Sequence, residues 1–352
     1  MTAIVDTPEQ AAALDLPPLL VRRPLEAFLD AHRLGSGPVE ARPIGEGHSN
    51  VTFEIRRGDE RWVLRRPPRP PLPPSAHDVL REAQLLRAVR DAAVRTPVVV
   101  AATDDESVIG APFYVMERLE GEVLTTAVPP ALDGPGDRRR IAEELVDALV
   151  EIHAVDWRAC GLEGYGKPTG YLDRQLRRFS GLWEHNRTRE LPTVERLTAW
   201  LTDHRPESGE ATIVHGDYRL GNVMLAPEPP PRVVAIFDWE LATIGDPLAD
   251  VGYLVATWAE PGEDAGGLFG GVTADGGFPT REELIARYEA SSGRSMSDVR
   301  WYTTLALWKA VVFLEGSYKR RLAGTTEDAF FDLLETGVPA LAERALAIAH
   351  GG

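Results

Sequence analysis

Ile213-Val214-His215-Gly216-Asp217-Tyr218-Arg219-Leu220-Gly221-Asn222 is an apolar run that breaks into a polar loop, with an aspartate and an asparagine five residues apart. Sixteen residues beyond Asn222, a second apolar run ends in another acid, Ile236-Phe237-Asp238-Trp239-Glu240. Residues 223–225 and 233–237 read as short strands, and Pro227 to Pro231 forms a tight connector between them. Such a pair of strands would bring Asn222 and Asp238 to one end of a hairpin.

Working outward, the N-terminal third is rich in strand signals. Residues 1–34 are predicted mostly helical, with Leu25, Phe28 and Leu29 on one face and a stop at Gly35. Residues 39–44, 51–56 and 61–66 then read as an antiparallel meander, turned at Gly45-Glu46-Gly47-His48-Ser49-Asn50 and at Gly58-Asp59. Pro67 to Pro74 can be neither helix nor central strand, because proline removes the donor and fixes φ. Ser75 is expected to cap a helix over 76–91, and 98–102 and 113–116 read as two further strands. Glu117 to Gly121 is polar and ends in glycine, as a hinge would. Beyond it the chain is mainly helical. Ile141, Leu145, Leu149 and Ile152 share one helical face, and further helices are predicted over 171–187, 193–203, 246–258, 280–291, 297–320 and 327–348. The expected fold class is α+β and bilobal. An antiparallel β-rich N-terminal lobe occupies 1–117, and a larger helical C-terminal lobe with the polar loop and a substrate cleft occupies 118–352.

His-Gly-Asp, four residues, Asn, followed by a strand and Asp238, resembles the catalytic loop and metal-binding segment of the protein-kinase-like superfamily, and most closely the aminoglycoside phosphotransferase family. The resemblance runs from about residue 39 to about 320. It implies ATP and Mg2+ as cofactors. Phosphoryl transfer is mostly positioning and charge neutralisation. One carboxylate holds the incoming hydroxyl and accepts its proton, while an amide oxygen and another carboxylate hold magnesium against the phosphates. By the resemblance Asp217 takes the first role and Asn222 with Asp238 the second. Arg219 stands where a charge directed at the γ-phosphate is found, and His215 organises the loop. In the N-terminal lobe, Gly45, Gly47 and Ser49 lie in the place of a phosphate-covering loop. The strand containing Trp62-Val63-Leu64-Arg65 stands where the family carries its ATP-binding lysine, so Arg65 or Arg66 must serve; alternation favours Arg65, which shares a face with Val63, and Glu82 is its expected partner. Met116, Glu117 and Leu119 would present backbone groups to adenine. Gly245-Asp246-Pro247 and Asp250 match a further family stretch. Asp246 is expected to cap a helix with Pro247 at its first position, and Asp250 to brace the catalytic loop. Glu240 either supports a second magnesium through water or is a structural acid.

Composition narrows the partners. The 352 residues hold 38 Lys plus Arg against 54 Asp plus Glu, a formal charge of −16. That excess argues against nucleic acid or an anionic membrane as a partner. The single cysteine, Cys160, excludes an internal disulfide and a thiolate cluster and fits a cytoplasmic location. The first ten residues, MTAIVDTPEQ, have no basic region followed by an apolar core, and 301–314 is interrupted by Lys309, so neither a secretion signal nor a membrane span is expected. Gly161-Leu162-Glu163-Gly164-Tyr165-Gly166-Lys167-Pro168 nearly matches a P-loop, but Pro168 stands where a magnesium-binding hydroxyl is needed.

Val63-Leu64-Arg65-Arg66-Pro67-Pro68, Gly170-Tyr171-Leu172 and Phe237-Asp238-Trp239-Glu240 resemble the subgroup related to kinase-like domains joined to acyl-CoA dehydrogenases. That resemblance implies a hydroxy acid or hydroxyacyl acceptor; the neighbouring group acts on aminoglycosides. Arg174, Arg177 and Arg178, on one expected helix, either meet a carboxylate or CoA phosphate or form a solvated basic face. The leading function is therefore a phosphotransferase acting on a hydroxylated small molecule. The second is a kinase-fold nucleotide sensor or scaffold without turnover, motivated by the arginine in place of lysine. Protein phosphorylation is disfavoured, because only eleven residues separate Asp238 from Asp250. The sequence leaves the oligomeric state open.

Overall fold

A computed structural model describes residues 4–45, 50–72, 77–263, 271–324 and 329–351. The chain divides into two compact units, Met1–Glu120 and Gly121–Gly352.

The first unit opens with β1 (Ile4–Val5), α1 (Pro8–Ala12), β2 (Leu20–Val21) and α2 (Arg22–Ala31), and β1 and β2 pair in parallel. This corrects the expectation of mostly helix over 1–34. Pro17 and Pro18 hold the chain extended, and Leu20-Val21 is then free to pair with Ile4-Val5. Next come β3 (Glu40–Ile44), β4 (Val51–Arg57), β5 (Glu60–Arg66), α3 (Val79–Ala88), β6 (Val99–Thr103) and β7 (Phe113–Glu117). The five strands form one antiparallel sheet in the order β3-β4-β5-β7-β6. Its core face carries Phe53, Ile55, Leu64, Phe113 and Val115 and packs on Leu25 and Leu29 of α2. Because strand side chains alternate, Leu64 and Arg66 belong to that face and Val63 and Arg65 to the other. Helix α3 starts at Val79, later than the sequence suggested. Its cap is Asp78, whose side chain accepts the Arg81 amide; Ser75 lies outside the described residues.

The second unit contains α4 (Asp137–His153), α5 (Tyr171–Asn186), α6 (Pro192–Asp203), β8 (Thr212–Val214), β9 (Val223–Leu225), β10 (Val233–Ile236), β11 (Thr243–Gly245), α7 (Leu248–Thr257), α8 (Arg281–Ser292), α9 (Val299–Leu322) and α10 (Leu334–Ala349). A short 3-10 turn, Ala329–Leu333, leads into α10, so the helix expected from 327 begins later. Strand β11 was not anticipated; it pairs antiparallel with β8, while β9 pairs with β10.

Helix α9 is the axis of this unit. Residues 301–308 are all buried, as expected of a helix with apolar neighbours on every side. Its polar atoms are satisfied locally. Thr303 and Thr304 donate to the carbonyls of Val299 and Arg300, and the Trp301 and Trp308 indoles donate to Leu201 O and Thr198 Oγ1. Helices α5, α6, α7 and α10 contribute to the same core. The approach of α7 is closest at Gly252, where an added Cβ would stand 2.4 Å from the Tyr302 carbonyl carbon.

Gly252 therefore tests the packing of α7 on α9. Alanine normally stabilises a helix interior by about 1 kcal/mol over glycine. Here Gly252→Ala must displace backbone, and we expect a net loss of about 1–3 kcal/mol, read as a lowered melting temperature. A neutral or higher value would show that the helices are not in contact there.

Candidate active site

The polar loop after β8 is built on one buried carboxylate. Asp250, on the first turn of α7, accepts the His215 amide at Oδ2 (2.7 Å) and the Gly216 amide at Oδ1 (2.8 Å). Gly216 takes φ +90°, and an added Cβ would stand 2.9 Å from Leu241 Cβ, so both conformation and space require glycine. His153 of α4 reaches Asp250 Oδ2 at 3.3 Å, and its Nδ1 lies 2.7 Å from the Tyr288 hydroxyl. Burial alone would push the Asp250 carboxyl up. The His153 hydrogen bond, the fields of His153 and His215 and the Gly216 amide outweigh it and hold the carboxyl below its ordinary value.

His215 is buried and organises the loop. Its Nε2 faces the Phe237 carbonyl at 2.9 Å, and its Nδ1 faces the Asp217 amide at 3.2 Å. A carbonyl only accepts and an amide only donates, so these partners select the Nε2–H tautomer. Trp239 packs on the imidazole, with ring centroids 4.6 Å apart. Tyr218 ties the loop to α4 by donating to Leu145 O at 2.7 Å.

Asp217 and Asn222 meet directly. Asn222 Nδ2 donates to Asp217 Oδ2 at 2.7 Å and to the Asp217 carbonyl at 2.8 Å. That leaves the buried amide oxygen as the ligand-capable atom. The β9–β10 register pairs Val223 with Ile236, and the Phe237 amide donates to the Asn222 carbonyl at 2.8 Å. Asp238 follows immediately, in the left-handed region at φ +65°. The hairpin expected from the sequence thus forms and carries Asn222 and Asp238 at one end. Arg219 Nε lies 3.6 Å from Asp217 Oδ1. The cap residue of α7 is Pro247, one place later than expected; Asp246 just ahead of it accepts the Leu248 amide at 3.1 Å and the Tyr302 hydroxyl at 2.7 Å.

One neighbour escaped the sequence reading. The Tyr253 phenol lies within the fields of both Asp217 and Asp238. Burial pushes this phenol well above its ordinary value and the acids add to it, so Tyr253 remains a donor. The available signal was helical spacing: Tyr253 lies three residues after Asp250 on α7.

In the N-terminal unit, Arg65 Nε pairs with Glu82 Oε2 at 3.0 Å, and both side chains are largely buried. Arg66 points the other way. It is buried on the carbonyls of Leu19 (2.5 Å), Pro67 (2.8 Å) and Ile109 (3.2 Å). Gly45 takes φ +78° just beyond β3, whereas Gly47 and Ser49 lie outside the described residues. Met116 is a ladder residue of β7, opposite Val63 and Val99. The Glu117 amide is engaged with Val98 O at 3.0 Å, and its carboxylate accepts the Val98 amide. Among the described residues, the Leu119 backbone groups have no hydrogen-bond partner.

The antiparallel sheet with its Arg–Glu pair, and the helical unit with its His-Gly-Asp loop and Asn/Asp hairpin, together define a protein-kinase-like phosphotransferase fold. A profile described as "Phosphotransferase enzyme family" (APH) matches residues 40–297, and the chain belongs to that family. Acyl-CoA dehydrogenase family member 10 of Mus musculus is 35% identical over 308 residues, a match covering 87% of this chain and 28% of the mouse protein. The chain spans less than half the length of the curated relatives it matches, and the matched part is their kinase-like region. A crystal structure from Ralstonia eutropha JMP134, provisionally named an aminoglycoside phosphotransferase, superposes with a TM-score of 0.80 at 32% identity, covering 93% of this chain and 97% of that one. The fold is shared with an aminoglycoside phosphotransferase, APH(4)-Ia, solved with AMP-PNP and hygromycin B (TM-score 0.60, 17% identity, 94% of this chain and 100% of that one).

Asp250→Asn removes one of two acceptor oxygens from a buried charge and leaves a loop amide facing a donor. The expected loss is on the order of 3 kcal/mol at neutral pH. Because the folded carboxyl sits below its ordinary value of 3.8, its stabilisation is present above that value and is lost as pH falls through the lower folded one. Urea unfolding of both proteins at neutral and acidic pH should show the gap narrowing only at the acid end.

Proposed function

We propose that the protein is an ATP- and magnesium-dependent phosphotransferase that phosphorylates a hydroxyl of a small molecule, either a hydroxy acid or hydroxyacyl compound or an aminoglycoside-like antibiotic. The observation that carries this reading is the 2.7 Å contact between Asp217 and Asn222 at the end of the hairpin bearing Asp238. Among the described residues no cluster of three His, Cys, Asp or Glu side chains could hold a metal alone. An amide oxygen and a carboxylate suit a hard cation that completes its shell with phosphates and water. Asn222 and Asp238 would hold it, and when bound it would neutralise phosphate charge.

Asp217 is the group that orients the acceptor hydroxyl and takes its proton as the oxygen attacks the γ-phosphorus and ADP departs. Asn222 fixes one carboxylate oxygen, so the base is aimed before the acceptor arrives, and the protonated Tyr253 phenol stands within its field. Arg219 supplies positive charge beside it. Arg65, held by Glu82, takes the nucleotide-phosphate role usually given to lysine, with Gly45, Gly47 and Ser49 covering the phosphates. Met116, Glu117 and Leu119 offer backbone to the base, foremost Leu119, whose backbone groups have no hydrogen-bond partner among the described residues. This division of labour follows 1–117 and 118–352 as functional lobes. No helix among the described residues is long and apolar enough to cross a membrane, and we place the reaction in the cytoplasm.

The arginine at position 65 also supports a second reading, in which the protein binds nucleotide without turnover. Hydroxyl-dependent ADP release across hydroxy acids, hydroxyacyl-CoAs, aminoglycosides and macrolides separates the two. Asp217→Asn should lower kcat by about 10²–10⁴ while ATP affinity, measured by calorimetry, stays within about threefold. Retained turnover would refute the base assignment. Arg65→Met should raise the KM for ATP by about tenfold or more, whereas a defect confined to kcat would assign the phosphate contact elsewhere.

A further inference from the structure

The chain has three lysines, Lys167, Lys309 and Lys319, and carries the rest of its basic charge as arginine. Lys309 is the one set in the middle of α9, directly after Trp308 and ahead of Val311 and Val312, all three buried. Its Nζ lies 4.9 Å from the centre of the Phe179 ring on α5, and the Arg178 guanidinium carbon lies 5.9 Å from the same ring. Among the described residues neither cation forms a hydrogen bond or an ion pair with a carboxylate. That is notable in a chain with 54 acidic side chains. Arg174, one turn earlier, is different: its guanidinium caps the carbonyls of Lys167 and Thr169.

Lys309 meets the Phe179 ring, and the fields of Asp250, Arg178 and Asp217 reach its amine. Burial is the main influence and pulls the amine down to about 8; Arg178 adds to the effect, and Asp250 and Asp217 oppose it. The Asp217 carboxylate is thus within electrostatic reach of the amine. An aromatic face compensates a desolvated cation only in part, and Arg178, itself exposed to water, adds repulsion to the Lys309 amine. Phe313, four residues along α9 and 42% exposed, meets Phe179 edge-on at 5.0 Å, which extends the spot as an apolar surface.

We propose that Lys309, with Arg178, is the acceptor-specificity element: it binds a carboxylate on the acceptor, whose hydrocarbon part lies along Phe179 and Phe313. This rests on the phosphotransferase reading above and narrows it to an anionic, partly apolar acceptor. A polycationic aminoglycoside would bring further positive charge against the buried Lys309 amine and the exposed Arg178 guanidinium beside the same ring. An acceptor carboxylate at Lys309 supplies that amine with a counterion, and Asp217 lies within electrostatic reach of the same amine.

Two measurements on the full chain test this. First, ADP release is followed with hydroxybutyrate and hydroxyhexanoate, with their methyl esters, and with kanamycin. The wild type should prefer acid over ester, and Lys309→Met should cut that preference by at least about tenfold through KM. An unchanged preference, a defect that appears instead in the KM for ATP, or turnover of kanamycin alone would overturn the proposal. Second, the three lysines are labelled as 13C-dimethyl-lysines and the same acids and esters are titrated in without ATP. The acids should move the Lys309 resonance while Lys167 and Lys319 serve as references, and the esters should not. A Lys309 signal that ignores the acids overturns the proposal even if ADP release is robust. A signal that follows the acids supports it even if no acceptor is turned over, in which case it is the phosphotransferase reading that fails.

Discussion

A carboxylate without water must find donors, and Asp250 finds them in the backbone of the loop it supports. Its two oxygens take the amides of His215 and Gly216, and His153 closes the remaining side. Everything chemical in the C-terminal unit is aimed from there. With those amides fixed, His215 bridges from the Asp217 amide to the Phe237 carbonyl, so one imidazole couples the two loop segments carrying Asp217 and Asp238. Asn222 then closes the circuit by donating to the Asp217 side chain. The rigid geometry is a chain of donors and acceptors in which each partner has one permissible role.

The same helix that supplies Asp250 supplies Tyr253, and both depend on how α7 lies against α9. Gly252 lets the helix backbones approach, and Tyr302 of α9 anchors Asp246 at the head of α7. Packing in the core is therefore coupled to the orientation of the base. Helix α9 also carries Lys309, so the acidic loop and that amine share one support.

Arginine at the position of the usual lysine is resolved by strand geometry. Period-two alternation puts Arg65 and Arg66 on opposite faces of the sheet. Arg66 lies buried on three backbone carbonyls, and Arg65 lies against Glu82. Two adjacent arginines with the same composition thus have different tasks, one holding the N-terminal segment to the sheet and the other oriented by a helix acid.

Much of this was legible in the chain itself, because local rules governed it. The meander, the hairpin joining Asn222 to Asp238 and the choice of Arg65 over Arg66 follow from alternation and proline connectors, while the bracing role of Asp250 and the Arg65–Glu82 pair were what the family resemblance implied. The short parallel pair β1–β2 and strand β11 were not legible, since two or three residues carry no period and form a strand only when a distant partner arrives. Nor was the start of α3 at Val79 with Asp78 as its cap. Tyr253 and Lys309 mark the same boundary more sharply. As letters, one is a helix aromatic and the other an interruption in an apolar run. Their chemistry comes from what desolvates and faces them, the Asp217 carboxylate for the phenol and an aromatic ring with a second cation for the amine. Sequence determined which groups this protein has and which local elements carry them; only tertiary packing decided which of them lost their water and which charges they met.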